Sequence, residues 1–138
     1  MPTKHNDRLL RARLEQLGGG GIGQELLKVS APFGMRRIVA DPYANEAALR
    51  ALEASVVPLD RLMAESDFVV VACLLNEETH HLVGAPELAL MKPTATLTNI
   101  ARGGVVDDAA LAEALQARRI AAAGLDVFEG EPRVHPAL

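Results

Sequence analysis

The glycine-rich segment at residues 18–23 has the residue types and the spacing of a phosphate-binding turn. Gly18, Gly20 and Gly23 form the pattern G-x-G-x-x-G. In this pattern the first glycine permits a tight turn, the second lets the backbone approach a pyrophosphate, and the third allows a helix to pack closely on a strand. The N-terminus of that helix attracts the phosphates. Four consecutive glycines also suit a plain flexible turn, so the segment alone does not decide between the two interpretations.

Asp41 strengthens the first interpretation, because it follows a predicted strand and lies about 20 residues after the glycines. A carboxylate in that position can accept hydrogen bonds from the hydroxyls of an adenosine ribose. Its charge would repel a 2′-phosphate, so we predict NAD as the cofactor, preferred over NADP. The alternative is that Asp41 only forms a turn before Pro42.

Helix-forming segments alternate with short apolar runs along the chain. This alternation predicts an α/β domain of the Rossmann type, a doubly wound parallel sheet between two layers of helices. Residues 68–73 are apolar without alternation, as expected for a central strand buried on both faces. The other predicted strands are residues 37–40, 55–57, 95–99 and 120–125. The predicted helices are residues 22–31, 45–54, 60–65 with Asp60 as the cap, 86–91 with Pro86 in the first turn, and a last one capped by Asp107 or Asp108 and ending near Arg119.

The N-terminal segment supports two interpretations. Residues 7–17 are rich in helix formers, yet a dinucleotide-binding fold requires a strand directly before its glycines. Residues 14–17 could supply that strand, although Glu15 and Gln16 are poor residues for the middle of a sheet. We therefore predict an N-terminal segment at residues 1–17, either a helix remnant or a short first strand, and an NAD-binding domain at residues 14–138.

Composition limits the functions that the chain can have. Of its 138 residues, 49% are hydrophobic and 23% are charged, which is typical of one folded globular domain. The net charge of -4 and the absence of tryptophan provide neither a basic face nor stacking platforms, so we predict no nucleic-acid partner. The longest apolar run is far shorter than the ~20 residues of a membrane span. A single cysteine and the lack of an apolar leader favour a cytoplasmic protein, and we predict no metal site.

Three further stretches make the pattern specific. They are L-N-E-E-T at residues 75–79, M-K-P followed by N-I-A-R-G-G-V-V-D within residues 91–107, and A-G-L-D-V-F with E-P within residues 123–132. Together with the glycines, F-G-M at residues 33–35 and D-P-Y at residues 41–43, they resemble the D-isomer-specific 2-hydroxyacid dehydrogenases in order and spacing. That family includes phosphoglycerate, glyoxylate/hydroxypyruvate, D-lactate and formate dehydrogenases. The resemblance covers residues 14–138.

The resemblance implies an NAD-dependent oxidoreductase that transfers hydride between the nicotinamide and a small 2-oxo or 2-hydroxy acid. In that family an arginine holds the substrate, and a histidine with a glutamate partner moves the proton. By position, Arg102 is the implied substrate arginine and Glu131 the implied glutamate. As alternatives, Arg102 caps loop carbonyls or pairs with Asp107, and Glu131, like Glu129 nearby, is an exposed turn carboxylate.

The resemblance also implies contacts with the cofactor. Gly21 and Ile22 are expected under the pyrophosphate, Cys73 near the adenosine, Ile100 and Ala101 against the nicotinamide, and Asp126 at the carboxamide, while Pro42, Leu75 and Thr79 complete the predicted cofactor-binding set. Cys73 also suits a buried core thiol, and Thr79 also suits a residue that satisfies local backbone. Leu74 departs from the family, in which proline is common there, and this puts the rigidity of its loop in doubt.

The resemblance does not extend to the family's catalytic histidine or to its smaller lid domain, and we interpret the chain as truncated at both ends. His5, His80 and His81 are interpreted as surface residues, and His135 as a loop residue without a catalytic part. Because an open site stays wet, we expect little or no dehydrogenase activity from the chain by itself. The alternatives are a non-catalytic NAD-binding or dimerising module, with a homodimer left open, and a degenerate product that binds nothing.

Overall fold

The strands form one parallel sheet. In the computed structural model, residues 13–17 are described by their backbone and residues 20–138 in full. The strands are β1 (Arg13–Leu17), β2 (Arg36–Ala40), β3 (Ala54–Val56), β4 (Phe68–Val71), β5 (Thr96–Asn99) and β6 (Ala122–Leu125). Their order in the sheet is β3-β2-β1-β4-β5-β6, and every neighbouring pair is parallel. This order is that of the doubly wound dinucleotide-binding fold, so the predicted fold class is confirmed.

Helices cover both faces of the sheet. They are α1 (Gly21–Ser30), α2 (Glu46–Ala51), α3 (Leu59–Glu65), α4 (Ala85–Leu90) and α5 (Asp108–Gln116), and a short 3-10 turn, Ala31–Phe33, follows α1. Ile38 and Val39 are neighbours on β2 and therefore point to opposite faces. Val39 packs in a cluster with Leu27 of α1 and Leu49 of α2, whereas Ile38 packs in the larger cluster that contains residues of α3, α4 and α5. Of the helices in the described part of the chain, none has the length and apolar character that a membrane span requires.

Residues 13–17 are the central strand of the sheet. Glu15 lies opposite Ile38 of β2 and opposite Val69 of β4. Pairing on both sides satisfies the backbone hydrogen-bonding groups of these residues. The free energy of this pairing with distant strands outweighs their local preference for a helix. Of the two interpretations of this segment, the strand is the one formed at residues 13–17, and the preceding residues lie outside the described part.

Several predicted helix and strand ends are wrong. α2 ends at Ala51, not at residue 54, because Glu53 adopts a positive φ of 56° and β3 then begins. α5 ends at Gln116, short of Arg119, and Arg118 there has a positive φ of 53°. β4 stops at Val71, two residues before Cys73.

The predicted cap of α3 is also wrong, whereas that of α5 is confirmed. α3 begins at Leu59 with Pro58 in the capping position, and Asp60 lies in the first turn, where its Oδ1 accepts from the Arg61 amide at 2.8 Å. For α5, Asp107 Oδ1 accepts from the Ala110 amide at 3.1 Å. Pro58 has no side-chain acceptor, so no side chain at the capping position bonds to the first amides of α3.

The loops that follow β5 and β6 pack backbone against backbone at Gly103. A Cβ on Gly103 would overlap the carbonyl group of Phe128 and would lie 2.8 Å from the Glu129 nitrogen. Only a glycine fits there. The close approach holds the loop of Arg102 against the loop of Glu131.

We expect Gly103→Ala to lower the free energy of unfolding by about 3 kcal/mol, because the added methyl group meets main chain that cannot move aside cheaply. Gly124→Ala is the matched control, since its Cβ would meet only Thr98, at 3.6 Å, and a change within about 1 kcal/mol is expected. Urea unfolding of both variants measures the difference. Equal stabilities of the two variants would contradict the close approach.

Candidate functional site

The carboxyl ends of five strands lie side by side. Leu17 is in register with Ala40 and with Val71, Val71 with Asn99, and Asn99 with Leu125. The residues that follow these positions therefore share one edge of the sheet. In open parallel sheets ligands bind outside this edge, where the strand order reverses, which here is between β1 and β4.

The N-terminus of α1 is built to leave space above its backbone. A Cβ on Gly20 or Gly21 would meet no atom within 4 Å, so neither glycine is needed for the packing of the protein itself. Gly23 is buried, whereas Ile22 is exposed. The first turn of α1 contains no acidic residue, and no side chain of the described residues caps it. Its amides are thus available to an anion. Gly18 lies outside the described residues.

A cavity of about 330 Å³ opens between the loops that follow β2 and β4. The predicted cofactor residues that line it are Gly20, Asp41, Pro42, Cys73 and Thr79. Tyr43, Asn76 and Glu78 also line it, although sequence reasoning assigned them no role. The other predicted residues lie elsewhere: Ile100, Ala101 and Arg102 follow β5, Asp126 follows β6, and Leu75 is half-exposed on the loop after β4.

Tyr43 connects the two loops that border this cavity. Its amide donates to Asp41 Oδ1 at 2.9 Å, and its hydroxyl donates to Glu78 Oε2 at 2.9 Å. The hydrogen bond to Glu78, together with the charge of that carboxylate, raises the pKa of Tyr43. The first bond orients Asp41, and the second joins the loop after β2 to the loop after β4. Tyr43 belongs to the motif D-P-Y and Glu78 to the motif L-N-E-E-T. Neither motif by itself predicts that the two side chains are in contact.

The loop after β4 is held by its own side chains. Thr79 Oγ1 donates to the Leu74 carbonyl at 2.6 Å and accepts from the Asn76 amide at 2.8 Å. Asn76 Oδ1 accepts from the amides of Glu78 and Thr79 at 2.9 and 3.0 Å. Thr79 thus satisfies local backbone and, by doing so, shapes the wall of the cavity. These bonds fix the loop at Leu74, where the family commonly has proline.

Asn99 organises the loop that carries Arg102, and sequence reasoning gave this residue no role beyond its strand. It is buried, its Oδ1 accepts from the Ala101 amide at 3.0 Å, and its Nδ2 donates to the Arg102 carbonyl at 3.4 Å. The exposed Arg102 side chain donates from Nη1 to the Ala101 carbonyl at 2.8 Å. This contact is the one expected from a loop-capping arginine. Asp107 instead caps α5 and faces His81.

The loop after β6 holds its two glutamates in different ways. Glu131 Oε1 accepts from the Phe128 amide at 2.8 Å, and Glu131 is exposed. Glu129 is partly buried, and its Oε1 lies 2.9 Å from His81 Nε2. Asp126 is exposed at the start of this loop, and its amide donates to the Asn99 carbonyl at 3.1 Å. His81 is partly exposed, and sequence reasoning did not predict its contact with Glu129.

A comparison with protein families identifies one that spans nearly the whole chain. The family described as "D-isomer specific 2-hydroxyacid dehydrogenase, NAD binding domain" matches residues 3–138. The resemblance inferred from the motifs is therefore confirmed.

Curated relatives share this part of their sequence. A glyoxylate reductase of Thermococcus gammatolerans is 51% identical over 116 residues, which are 84% of this chain and 35% of that protein. A D-3-phosphoglycerate dehydrogenase of Methanocaldococcus jannaschii is 40% identical over 117 residues, or 84% of this chain and 22% of that protein. The chain spans about a third of the length of the first relatives it matches, 35% and 36% for two glyoxylate reductases.

Solved structures agree with this assignment. A glyoxylate reductase from Paecilomyes thermophila superposes with a TM-score of 0.86 at 39% identity, over 92% of this chain and 38% of the other. The NAD complexed form of a D-isomer specific 2-hydroxyacid dehydrogenase from Lactobacillus delbrueckii ssp. bulgaricus gives a TM-score of 0.84 at 31% identity, over 94% of this chain and 40% of the other.

Cys73 should react slowly with thiol reagents, because burial raises the pKa of its thiol and the charge of Asp41 adds to the shift. Only the thiolate reacts, so the rate of alkylation by iodoacetamide should rise with pH through a midpoint above that of an ordinary cysteine. It is the single cysteine of the chain, so the same protein unfolded in urea is the reference. A native midpoint equal to or below the unfolded one would contradict the burial effect.

Proposed function

Because the chain belongs to the NAD-binding domain family of the D-isomer-specific 2-hydroxyacid dehydrogenases, we propose that it binds NAD, in preference to NADP, outside the carboxyl ends of β1, β2 and β4. The observation that carries the proposal is the cavity that Gly20 of the glycine turn and Asp41 both line. The elements on either side provide complementary groups for the two halves of an adenosine diphosphate. The glycine turn provides amides, and the loop after β2 provides a carboxylate.

The start of α1 fits a pyrophosphate. Backbone amides at Gly21 and Ile22 point out of the helix start, and the open space above Gly20 and Gly21 lets phosphate oxygens approach them. The helix dipole adds a favourable field for the negative charge. These groups are main-chain atoms, so they need no side-chain rearrangement to bind.

Asp41 fits the adenosine ribose. Its carboxylate can accept hydrogen bonds from the two ribose hydroxyls, and the amide of Tyr43 holds it in place. A 2′-phosphate in the same position would meet a like charge. Pro42 and Cys73 would border the adenosine on the remaining sides of the cavity.

Arg102 and Glu131 fit the chemistry of a small 2-oxo or 2-hydroxy acid. We place the nicotinamide, which supplies or accepts the hydride when it is bound, near Ile100, Ala101 and Asp126. The guanidinium of Arg102 would exchange its bond to the Ala101 carbonyl for a forked contact with the substrate carboxylate. Glu131 lies on the neighbouring loop and would hold the imidazole of a proton-transferring histidine, a residue that the resemblance does not locate in this sequence.

A non-catalytic NAD-binding module that dimerises is the second candidate. The observation that favours it is a stripe of exposed apolar side chains along α1 and the turn after it. Ile22 and Val29, which are 65% and 63% exposed, are seven residues apart and therefore lie on one side of α1, and Phe33 in the turn that follows is 57% exposed. A second copy of the chain would cover this stripe.

We expect Asp41→Asn to weaken NAD binding by about 10- to 100-fold, since a hydrogen bond to a charged group contributes about 1.5–3 kcal/mol. The amide keeps an oxygen for the Tyr43 N–H, so the loop should stay in place. NADP should lose little affinity or gain some, because the like charge is gone. Calorimetric titration with NAD and with NADP gives the ratio of the two affinities.

Asp60→Asn is the matched control, because it removes the same charge from an exposed position on α3 and should leave both affinities unchanged. An unchanged NAD to NADP ratio in Asp41→Asn would argue against the assigned role of Asp41. Failure of the unmodified protein to bind NAD at all would argue against the proposed function.

The role of Arg102 can be tested by binding alone, with pyruvate as the probe and the NADH-loaded protein as the receptor. Saturation-transfer NMR should detect the pyruvate methyl group, and Arg102→Gln should weaken this binding by at least about 10-fold because it removes the carboxylate's charged partner. Arg118→Gln, at an exposed position beyond α5, should have no effect. Pyruvate binding that is absent or indifferent to Arg102 would favour the non-catalytic module.

A further inference from the structure

Two histidines and a glutamate converge where the loop after β4 meets the loop after β6. His80, His81 and Glu129 each offer one ligand atom, and these atoms lie within 4.8 Å of one another. We propose that the three side chains bind one divalent transition-metal ion, with Zn²⁺ as the representative of the class. The cluster does not line the cavity beside Asp41, and the proposal does not depend on NAD binding.

The distances within the cluster suit a shared ion. Glu129 Oε1 lies 2.9 Å from His81 Nε2 and 3.7 Å from His80 Nε2. Two ligand atoms that are each bound to zinc at about 2.0–2.2 Å in a tetrahedral arrangement lie about 3.3 Å apart. The observed distances fall on either side of that value, so metal binding would replace the hydrogen bond between His81 and Glu129 and would require side-chain rotations.

The backbone holds both histidine rings on one side of their loop. The His81 amide donates to the Gly104 carbonyl at 2.7 Å, and the Val83 amide donates to the Val105 carbonyl at 3.2 Å. The two rings stack with their centres 4.0 Å apart and their planes 18° from parallel, so one ring would have to turn before both nitrogens could point at one ion. His81 has a positive φ of 51°, which is uncommon for a residue other than glycine and concentrates at functional sites.

Neighbouring carboxylates orient the proposed ligands. His81 Nδ1, the ring nitrogen away from the cluster, lies 3.7 Å from Asp107 Oδ2, while the other oxygen of Asp107 caps α5. A metal-binding histidine usually donates its second nitrogen to a carboxylate, and a shortening of this 3.7 Å distance to hydrogen-bond length would fix the ring. The amide of Glu129 donates to Asp108 Oδ2 at 2.9 Å, so the third ligand is also anchored.

The donor set selects the class of ion. Two imidazole nitrogens and one carboxylate oxygen suit zinc and other first-row divalent ions, whereas calcium and magnesium prefer oxygen ligands. Asp107 and Asp108 add negative charge near the site, which favours a cation. Three protein ligands leave a coordination position for water or an anion. This inference departs from the sequence-based prediction of no metal site.

The test is a Zn²⁺ titration of the untagged chain after treatment with a chelator and dialysis. We expect one ion per chain, bound with a micromolar or tighter dissociation constant. His80→Ala and Glu129→Gln should each weaken binding at least about 10-fold, and Asp107→Asn, which can still cap α5, should weaken it by about 10-fold. Circular dichroism of each variant verifies that the fold is kept.

His135→Ala is the matched control, because it removes an imidazole that is not one of the three proposed ligands, and this variant should bind Zn²⁺ as the unmodified chain does. Co²⁺ provides a second readout, since its visible spectrum reports ligand geometry and should lose intensity in His80→Ala. The proposal is overturned if the chain binds no zinc, if binding survives both His80→Ala and Glu129→Gln, or if a control variant loses it.

Discussion

β1 is paired with β2 on one side and with β4 on the other, and the rest of the structure depends on this pairing. The register places Leu17 beside Ala40 and Val71, which brings the glycine turn, Asp41 and the loop after β4 to one edge of the sheet. The six residues from Gly18 to Gly23 could be a flexible linker in another context. In this structure β1 ends at Leu17 and α1 begins at Gly21, which is the arrangement that the proposed anion site requires.

Along this edge, polar side chains accept hydrogen bonds from the backbone amides of the loops. Asn76, Thr79, Asn99 and Asp107 all accept hydrogen bonds from amides within a few residues of themselves. Each of these side chains takes the place of a water molecule as the hydrogen-bond acceptor of a loop amide. At Gly103 the lack of a side chain also holds a loop in place, because it lets the loop after β5 contact the main chain of the loop after β6.

The proposed NAD site uses main-chain amides and one carboxylate. Such a small set of side chains is consistent with a fold that is kept at low sequence identity. Solved structures of only 31% and 39% identity superpose with TM-scores of 0.84 and 0.86. A site made mostly of backbone tolerates side-chain changes as long as the strand register and the glycines are kept.

The sequence by itself determined the fold class, the order of the elements and the family. These features follow from local periodicity and from motifs of fixed spacing, which are properties of short segments. Only the tertiary structure decided that residues 13–17 form a strand, because their helix preference is local and the pairing that outweighs it comes from residues far along the chain. The same holds for the bond of Tyr43 to Glu78, 35 residues away, and for that of His81 to Glu129, 48 residues away. The residues next to each partner in the sequence do not predict such a contact. It forms only because the parallel strands bring their loops to the same edge of the sheet.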